Sequence, residues 1–279
     1  MSDKFVFEPE KAFKVMKEQF LGFMKSVGSK DVVIGISGGK DSSVSAAFCA
    51  KALGPEHVIG IMMPNGFQKD IDDSRKLISH IGIVDKAINI RNAYDAIIDQ
   101  LHYNSITESE NARINLPPRI RMCVQYAVAQ SMTAVVMNND NRLEILAGYY
   151  TIFGDGAGSY GLLRELTVRE VIELGRWLGL PDELVDKTPG DGLQDKGDEE
   201  RMGISYEMFG KLVRREYDEE SFPDKDMLKR IMDRYHANKF KSNMIRIKSP
   251  KLGYSDFFAE LEKTQDAMLS SMENVKVCK

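Results

Sequence analysis

Apolar and polar positions along the first half of the chain form a regular succession of helix-like and strand-like stretches. Helices are predicted where apolar residues recur every three or four positions, and strands where short β-branched runs stand between glycine or proline turns. Strands that alternate with helices indicate an α/β fold, a doubly wound parallel sheet flanked by helices. The pattern predicts helices over 9–26, 41–53, 70–81, 92–101 and 117–132, and strands over 32–36, 57–63, 86–90 and 133–138.

The stretch before the last of these helices is polar. Residues 104–115 are therefore predicted to be a connection without regular structure. Pro117 and Pro118 are predicted to begin the helix that follows, because a proline is tolerated in a first turn, where its missing N–H would have no partner.

Beyond Gly148 the sequence changes to glycine-rich loops between amphipathic helices. Thr167 followed by Glu170 is a capping box, which predicts a helix over 167–178. The charged, glycine-rich loop 189–197 suits a mobile lid and an inert connector equally well. We treat 1–279 as one domain with a C-terminal helical extension at about 250–279. Further helices are predicted at about 206–217, 224–238 and 255–272.

Charge and cysteine usage exclude several classes of protein. A net charge of −4 and a pI of about 5.7 disfavour nucleic acid and anionic membranes as partners. The three cysteines, Cys49, Cys123 and Cys278, form no C-x-x-C pair, which argues against a disulfide framework and a thiolate zinc site. The N-terminal stretch has charges throughout, and nowhere do about 18 uncharged apolar residues run together. We therefore expect a cytoplasmic protein.

The stretch VVIGISGGKDSS, residues 32–43, carries the clearest chemical signal. A buried strand breaks at Ser37-Gly38-Gly39, and a helix opens at once with Asp41. Such a junction presents glycine backbone, orphan N–H groups and the positive end of a helix dipole to an anion, and phosphate fits it best. The spacing matches neither a Walker A loop nor G-x-G-x-x-G. The alternative is an ordinary capped turn.

Residues Ser37 to Ser42, SGGKDS, resemble the pyrophosphate-binding loop of the N-type ATP pyrophosphatases, which have an adenine nucleotide alpha hydrolase-like fold. Those enzymes split ATP between its α and β phosphates to adenylate a substrate. Beyond the loop, the chain is similar to ammonia-dependent NAD+ synthetase over about residues 10–245. Four stretches carry this similarity in order and spacing, namely 63–73, 115–122, 144–156 and 198–206.

The resemblance implies an ATP- and Mg2+-dependent ligase that amidates deamido-NAD to NAD+ with ammonia through an adenylated carboxylate, releasing AMP and pyrophosphate. It also implies a homodimer with helix 117–132 in its interface. The residues implied to be catalytic and to bind Mg2+ are Asp41 and Glu144. Those implied to bind ATP are Gly35, Ile36, Ser37, Gly38, Gly39, Lys40, Asp41, Ser42, Asn139 and Gly190, and those implied to bind the second substrate are Arg119 and Lys241.

Each of these roles has a plainer alternative. Asp41 alone would serve as a helix cap, Glu144 as a solvated helix charge and Arg119 as half of a surface ion pair. The chain also departs from the family pattern in the half that would hold deamido-NAD. The departures are Ile152 and Val168 in place of lysines, Ser159 in place of an aspartate, Phe240 in place of a histidine, and Gly190 in place of a threonine or serine.

These departures keep two other functions open. One is a related enzyme that adenylates or amidates a different carboxylate, and the other is a non-catalytic nucleotide-binding paralogue. Steady pyrophosphate release separates the enzymes from the binding protein, and dependence on deamido-NAD separates the two enzymes. Arg142 and Arg164 are candidates to replace a missing lysine.

Overall fold

The computed structural model describes residues 6–67, 71–186, 203, 205–217, 224–244, 247–253 and 260. Its strands are Val32–Gly35 (β1), Val58–Met62 (β2), Val84–Ala87 (β3), Val135–Asn138 (β4) and Tyr160–Gly161 (β5). They form one five-stranded sheet in the order β3-β2-β1-β4-β5, and every neighbouring pair is parallel. The predicted doubly wound parallel sheet is thus confirmed.

Helices cover both faces of this sheet. Among the described residues the α-helices are Pro9–Val27 (α1), Lys40–Leu53 (α2), Ile71–Ile81 (α3), Arg91–Tyr103 (α4), Glu110–Met132 (α5), Arg142–Ala147 (α6), Val168–Trp177 (α7), Asp182–Val185 (α8), Tyr206–Arg214 (α9) and Lys225–Met244 (α10). One face of the sheet packs α1, α2, α3 and α7 around a core that includes Phe20, Phe48 and Leu174, and the other packs α5 through Ile120 and Ala129.

A further apolar cluster joins α6, α9 and α10 at the end of the sheet where β4 and β5 lie. It is tied to α7 by a buried ion pair, in which Arg214 Nε lies 2.6 Å from Glu170 Oε1 and both side chains are at most 2% exposed. Glu170 also accepts from the Thr167 N–H, as the predicted capping box requires. No helix in the described part of the chain is long and apolar enough to cross a membrane.

Two predicted boundaries were wrong for identifiable reasons. The strand predicted over 86–90 is β3, which begins at Val84, and apolar content did not mark it because it is an edge strand with all four residues exposed. Helix α5 begins at Glu110 instead of Pro117, because the Ser109 hydroxyl accepts from the Ala112 N–H and caps it. Both prolines therefore lie inside α5.

Three short elements, β5, α6 and α8, were not predicted at all. The loop 189–197 with Gly190, the predicted helix 255–272 apart from residue 260, and most of the stretch 198–206 lie outside the described residues. The single-domain assignment with a C-terminal extension stays a prediction.

Candidate functional site

The loop after β1 lies where the direction of chain winding reverses. From β1 the chain proceeds to β2 and β3 on one side, whereas β4 and β5 lie on the other. Ligands of doubly wound sheets bind outside the carboxyl ends of the strands at such a switch point. The topology therefore places residues Ser37 to Ser42, which directly follow β1, at the expected ligand position.

The loop is held in shape by its own serines. Ser37 Oγ lies 3.1 Å from Ser42 Oγ, and the Ser37 and Gly39 N–H groups donate to Ser42 Oγ and Ser37 Oγ respectively. Gly38 has a φ of +79°, a left-handed conformation that favours glycine. These bonds fix the turn without help from a ligand.

The loop leads directly into α2, a helix of 14 residues whose N-cap, Gly39, provides no side-chain acceptor. The N–H groups of the first helical turn have no intrahelical acceptor, and the positive end of the helix dipole lies there. A loop shaped by Ser37 and Ser42 at the start of an uncapped helix is suited to bind an anion.

Two acids from distant parts of the sequence meet at Asn141. The Asn141 side chain donates from Nδ2 to Asp41 Oδ1 over 3.1 Å, and its backbone N–H donates to Glu144 Oε2 over 2.9 Å. Glu144 completes a capping box with Asn141 at the start of α6. Asp41 comes from α2 and Glu144 from α6, so the fold brings both carboxylates to the edge of the loop.

The electrostatics of these acids favour a cation between them. Burial raises the pKa of the Glu144 carboxyl, and the nearby Asp41 carboxylate raises it further. Lys40 opposes this shift, and its buried Nζ lies 2.9 Å from Asp41 Oδ2 and 5.8 Å from the centre of the Tyr206 ring. A second positive charge would stabilise the ionised form of both acids.

Carboxylate oxygens are the ligands that hard divalent cations prefer, and Mg2+ is usually held by one or two carboxylates together with water and phosphate oxygens. No group of three or more His, Cys, Asp or Glu side chains in the described ranges is arranged to hold a metal ion. The pair of Asp41 and Glu144 therefore fits a cation that takes its remaining ligands from a bound phosphate and water.

Asn139 supplies an unsatisfied acceptor beside the loop. Its Nδ2 donates to the Gly35 carbonyl over 3.3 Å, which fixes the orientation of the side-chain amide because a carbonyl can only accept. The other amide atom, Oδ1, is buried and has no hydrogen-bond partner within the described part of the protein. A donor on a bound ligand would satisfy it.

Two further acids, Asp140 and Asp155, lie behind the site, and Asp140 is buried. Asp140 Oδ2 accepts from Asn138 Nδ2 over 3.0 Å and lies 3.8 Å from Arg164 Nη1. Burial raises the pKa of Asp140 to about 7, and the nearby Asp155 carboxylate contributes to the increase. Desolvation of its carboxyl group also raises the pKa of Asp155, although the Thr151 N–H donates to it. Of the two acids, Asp140 can hold a proton near neutral pH.

The residues expected to bind the second substrate lie around the loop that joins α6 to β5. Arg119 on α5 is exposed, and its Nε donates to the Ile152 carbonyl over 3.3 Å. Lys241 on α10 donates from Nζ to the Gly148 and Tyr150 carbonyls over 2.6 and 3.2 Å. Arg119 and Lys241 thus contact the same loop from two different helices.

The structure shows the surroundings of two residues that depart from the family pattern, Val168 and Phe240, and of one candidate replacement, Arg164. Val168, at the start of α7, packs against the apolar cluster of α6, α9 and α10, where the expected lysine would have to be accommodated. Arg164, one of the two arginines considered as a replacement, is only 14% exposed and donates from Nη1 to Asn138 Oδ1 over 3.2 Å. Phe240 is 53% exposed.

The structure therefore brings together Gly35 to Ser42, Asn139 and the two acids, with Gly190 outside the described residues. Sequence reasoning missed the parts played by Asn141 and Gln125, a residue of α5 whose Oε1 accepts from the Gly35 N–H. It also missed the two acids Asp140 and Asp155, whose pKa values are raised. The run Asn138-Asn139-Asp140-Asn141 was the available signal, since four polar residues that begin at the last residue of a buried strand mark a ligand-facing strand end.

Comparison with known proteins agrees with this geometry. A family model described as NAD synthase matches residues 13–245. An NH(3)-dependent NAD(+) synthetase of Pyrococcus horikoshii is 38% identical over 202 residues, which cover 72% of this chain and 77% of the relative. An NMN synthetase from Francisella tularensis has a TM-score of 0.76 at 29% identity, covering 85% of this chain and 96% of its own. An NH3-dependent NAD synthetase from Campylobacter jejuni has a TM-score of 0.71 at 26% identity, and the match covers 86% of this chain and 99% of the Campylobacter chain.

Proposed function

The chain belongs to the NAD synthase family, and on that premise we propose that it amidates deamido-NAD to NAD+ with ATP and ammonia. The observation that carries the proposal is the meeting of Asp41 and Glu144 at Asn141, beside a preformed anion-binding loop. Adenylation requires this combination, because one anion, the carboxylate, must approach the α-phosphate of another while pyrophosphate departs.

The chain's own residues divide this task. The loop from Ser37 to Ser42 and the start of α2 bind the leaving phosphates through backbone N–H groups. Asp41 and Glu144 would hold Mg2+, whose chemistry is to neutralise phosphate oxygens as the bond to the leaving group breaks. We propose that Asn139 Oδ1, a buried acceptor without a hydrogen-bond partner in the described part of the protein, accepts a hydrogen bond from the bound nucleotide. Gly190 is proposed as an ATP contact from the family pattern alone.

On the acceptor side, the nicotinate carboxylate displaces pyrophosphate and becomes an acyl adenylate. Ammonia then attacks the acyl carbon, loses a proton and expels AMP, which leaves the amide. We propose that Arg119, exposed beside Ile152, binds a phosphate or carboxylate of the acceptor, as a guanidinium is suited to do. Lys241 is proposed to hold the loop that carries Tyr150 against the acceptor.

A second candidate is the same reaction on a mononucleotide acceptor, nicotinate mononucleotide, which yields NMN. The observation in its favour is the similarity to the NMN synthetase of Francisella tularensis. The departures at Ile152, Ser159, Val168 and Phe240 fall where the family pattern would place contacts to the larger dinucleotide. Both candidates use the same adenylation chemistry and differ in the acceptor.

The test is pyrophosphate and AMP release with ATP, Mg2+ and ammonium chloride, with deamido-NAD or nicotinate mononucleotide as acceptor. We expect steady release that depends on deamido-NAD, with NAD+ formed in equal amount to AMP. Release that depends on the mononucleotide alone would favour the second candidate. Absence of release with either acceptor, in protein that still binds ATP, would overturn both and leave an enzyme for a different carboxylate or a non-catalytic nucleotide-binding protein.

We also propose that the protein is a homodimer that joins through α4 and α5. In α4 none of the residues is buried, and in α5, which has 23 residues, only Pro117, Ile120 and Ala129 are. Light scattering at micromolar concentration should give a mass of about twice 31.5 kDa, and a mass near 31.5 kDa would contradict the proposal.

Cytoplasmic location is proposed from the free thiols of Cys49 and Cys123.

A further inference from the structure

Strand β1 loses one of its neighbours just before the nucleotide loop. It pairs with β2 along its whole length, from Val32 opposite Val58 to Gly35 opposite Ile61. Its pairing with β4 stops at Val33 opposite Val136. The two central strands therefore diverge at their carboxyl ends, and the divergence leaves backbone groups of Gly35 without a strand partner.

Alternation along the strand shows which groups these are. In a parallel strand the N–H and C=O of one residue point to the same neighbour, and successive residues alternate. The Ile36 N–H donates to the Ile61 carbonyl on the β2 side. Both the N–H and the C=O of Gly35 consequently point towards β4, into the gap.

Two side-chain amides fill that gap. Gln125 Oε1 accepts from the Gly35 N–H over 3.1 Å, and Asn139 Nδ2 donates to the Gly35 C=O over 3.3 Å. The chemistry of the partners fixes both amide orientations, since an N–H needs an acceptor and a carbonyl needs a donor. Gln125 can approach because residue 35 is glycine, whose added Cβ would lie 3.2 Å from Gln125 Oε1.

We infer that Gln125 is a positioning residue for the nucleotide loop. By holding the Gly35 N–H it sets the direction in which the chain leaves β1, and hence where Ser37 to Ser42 present their N–H groups to the triphosphate. The side chain comes from α5, so the loop is positioned by the opposite face of the sheet from α2. This inference rests on the proposed function.

The test compares Gln125→Met, which keeps the length of the side chain but removes the acceptor, with Gln130→Met on an exposed position of the same helix. We expect Gln125→Met to raise KM for ATP about tenfold, equivalent to about 1.4 kcal/mol. KM for the acceptor should stay within about twofold, and the rise in Tm on adding ATP and Mg2+ should shrink. Gln130→Met should match the wild type in each measurement.

A double-mutant cycle supplies the second measurement. Gly35→Ala would press against Gln125 Oε1 and against Met63 Cε, 3.1 Å from the added Cβ. If Gln125 acts through Gly35, the double variant should have about the same ATP KM as either single variant. Should Gln125→Met fail to fold, Gly35→Ala is judged by the same selective rise in ATP KM.

An unchanged ATP KM in Gln125→Met, or an equal rise in the KM of ATP and of the acceptor, would overturn the inference and leave the proposed function standing. A wild-type protein that releases no pyrophosphate would instead overturn the proposed function. The positioning role would then be decided by ATP-induced stabilisation, which should still be smaller in Gln125→Met than in Gln130→Met.

Discussion

Two replacements of Asn141 should show separately how this residue stabilises α6 and how it positions Asp41. This side chain is fully buried and makes three hydrogen bonds. Its Oδ1 accepts from the N–H groups of Leu143 and Glu144 over 3.0 and 3.1 Å, and its Nδ2 donates to Asp41 Oδ1. Asn141→Ala removes all three, whereas Asn141→Ser keeps a hydroxyl that can cap the helix but cannot reach Asp41.

The magnitudes follow from these bonds. Loss of a helix N-cap costs about 1 kcal/mol, and loss of a hydrogen bond to a charged group costs about 1.5 to 3 kcal/mol. Asn141→Ala should therefore lower the free energy of unfolding by about 3 kcal/mol, and Asn141→Ser should recover about 1 kcal/mol of it. Both should lower kcat/KM for ATP at least about tenfold, because each leaves Asp41 without the donor that orients it.

Urea denaturation and pyrophosphate release measure the two effects separately. Asn111→Ser, at an exposed position of α5, is the matched control and should change neither. Equal stability of Asn141→Ser and Asn141→Ala would refute the capping argument. Wild-type activity in Asn141→Ser would refute the claim that Asn141 holds Asp41 in place.

Three further predictions concern charged groups. Asp41→Asn and Glu144→Gln should each abolish pyrophosphate release while thermal melting stays cooperative. The double variant should have about the same residual rate as either single variant, because both acids bind one ion. Near-native turnover in either single variant would contradict this prediction. Arg214→Met should leave the buried Glu170 carboxylate without its positive partner and lower the free energy of unfolding by about 3 to 5 kcal/mol. Arg176→Met, in an exposed ion pair, should lower the free energy of unfolding by less than about 1 kcal/mol. Equal losses in urea denaturation would show that burial does not determine the strength of these pairs. Because the pKa of Asp140 is raised to about 7, this residue binds more protons in the folded than in the unfolded state between about pH 4 and 7, so its contribution to wild-type stability should decline as pH rises through this window. Asp140→Asn should flatten that decline by at most about 1.4 kcal/mol per pH unit, and parallel stability profiles would show that Asp140 titrates normally.

Sequence alone determined the features that depend on neighbouring residues. The strand before Ser37, the glycine turn and the start of α2 are encoded within a dozen residues by local preferences, and the structure has each of them there. The capping box of Thr167 and Glu170 is equally local, because both partners lie in one helical turn. The order of buried strands and amphipathic helices was sufficient to predict the parallel sheet.

Features that depend on long-range contacts were decided only by the tertiary structure. Apolar content misplaced the bounds of β3 because an edge strand has exposed side chains, and the position of an edge is a property of the sheet. The approach of Gln125 to Gly35 depends on where β1 and β4 diverge, which no local pattern shows.

The acids of the site illustrate the same division. Their residue types were visible in the sequence, but Asp41 and Glu144 meet only because α2 and α6 begin beside the carboxyl ends of adjacent strands, β1 and β4. The raised pKa of Asp140 likewise requires burial beside Asp155. Coulomb interactions and desolvation act through distances in space, and those distances exist only once the chain has folded.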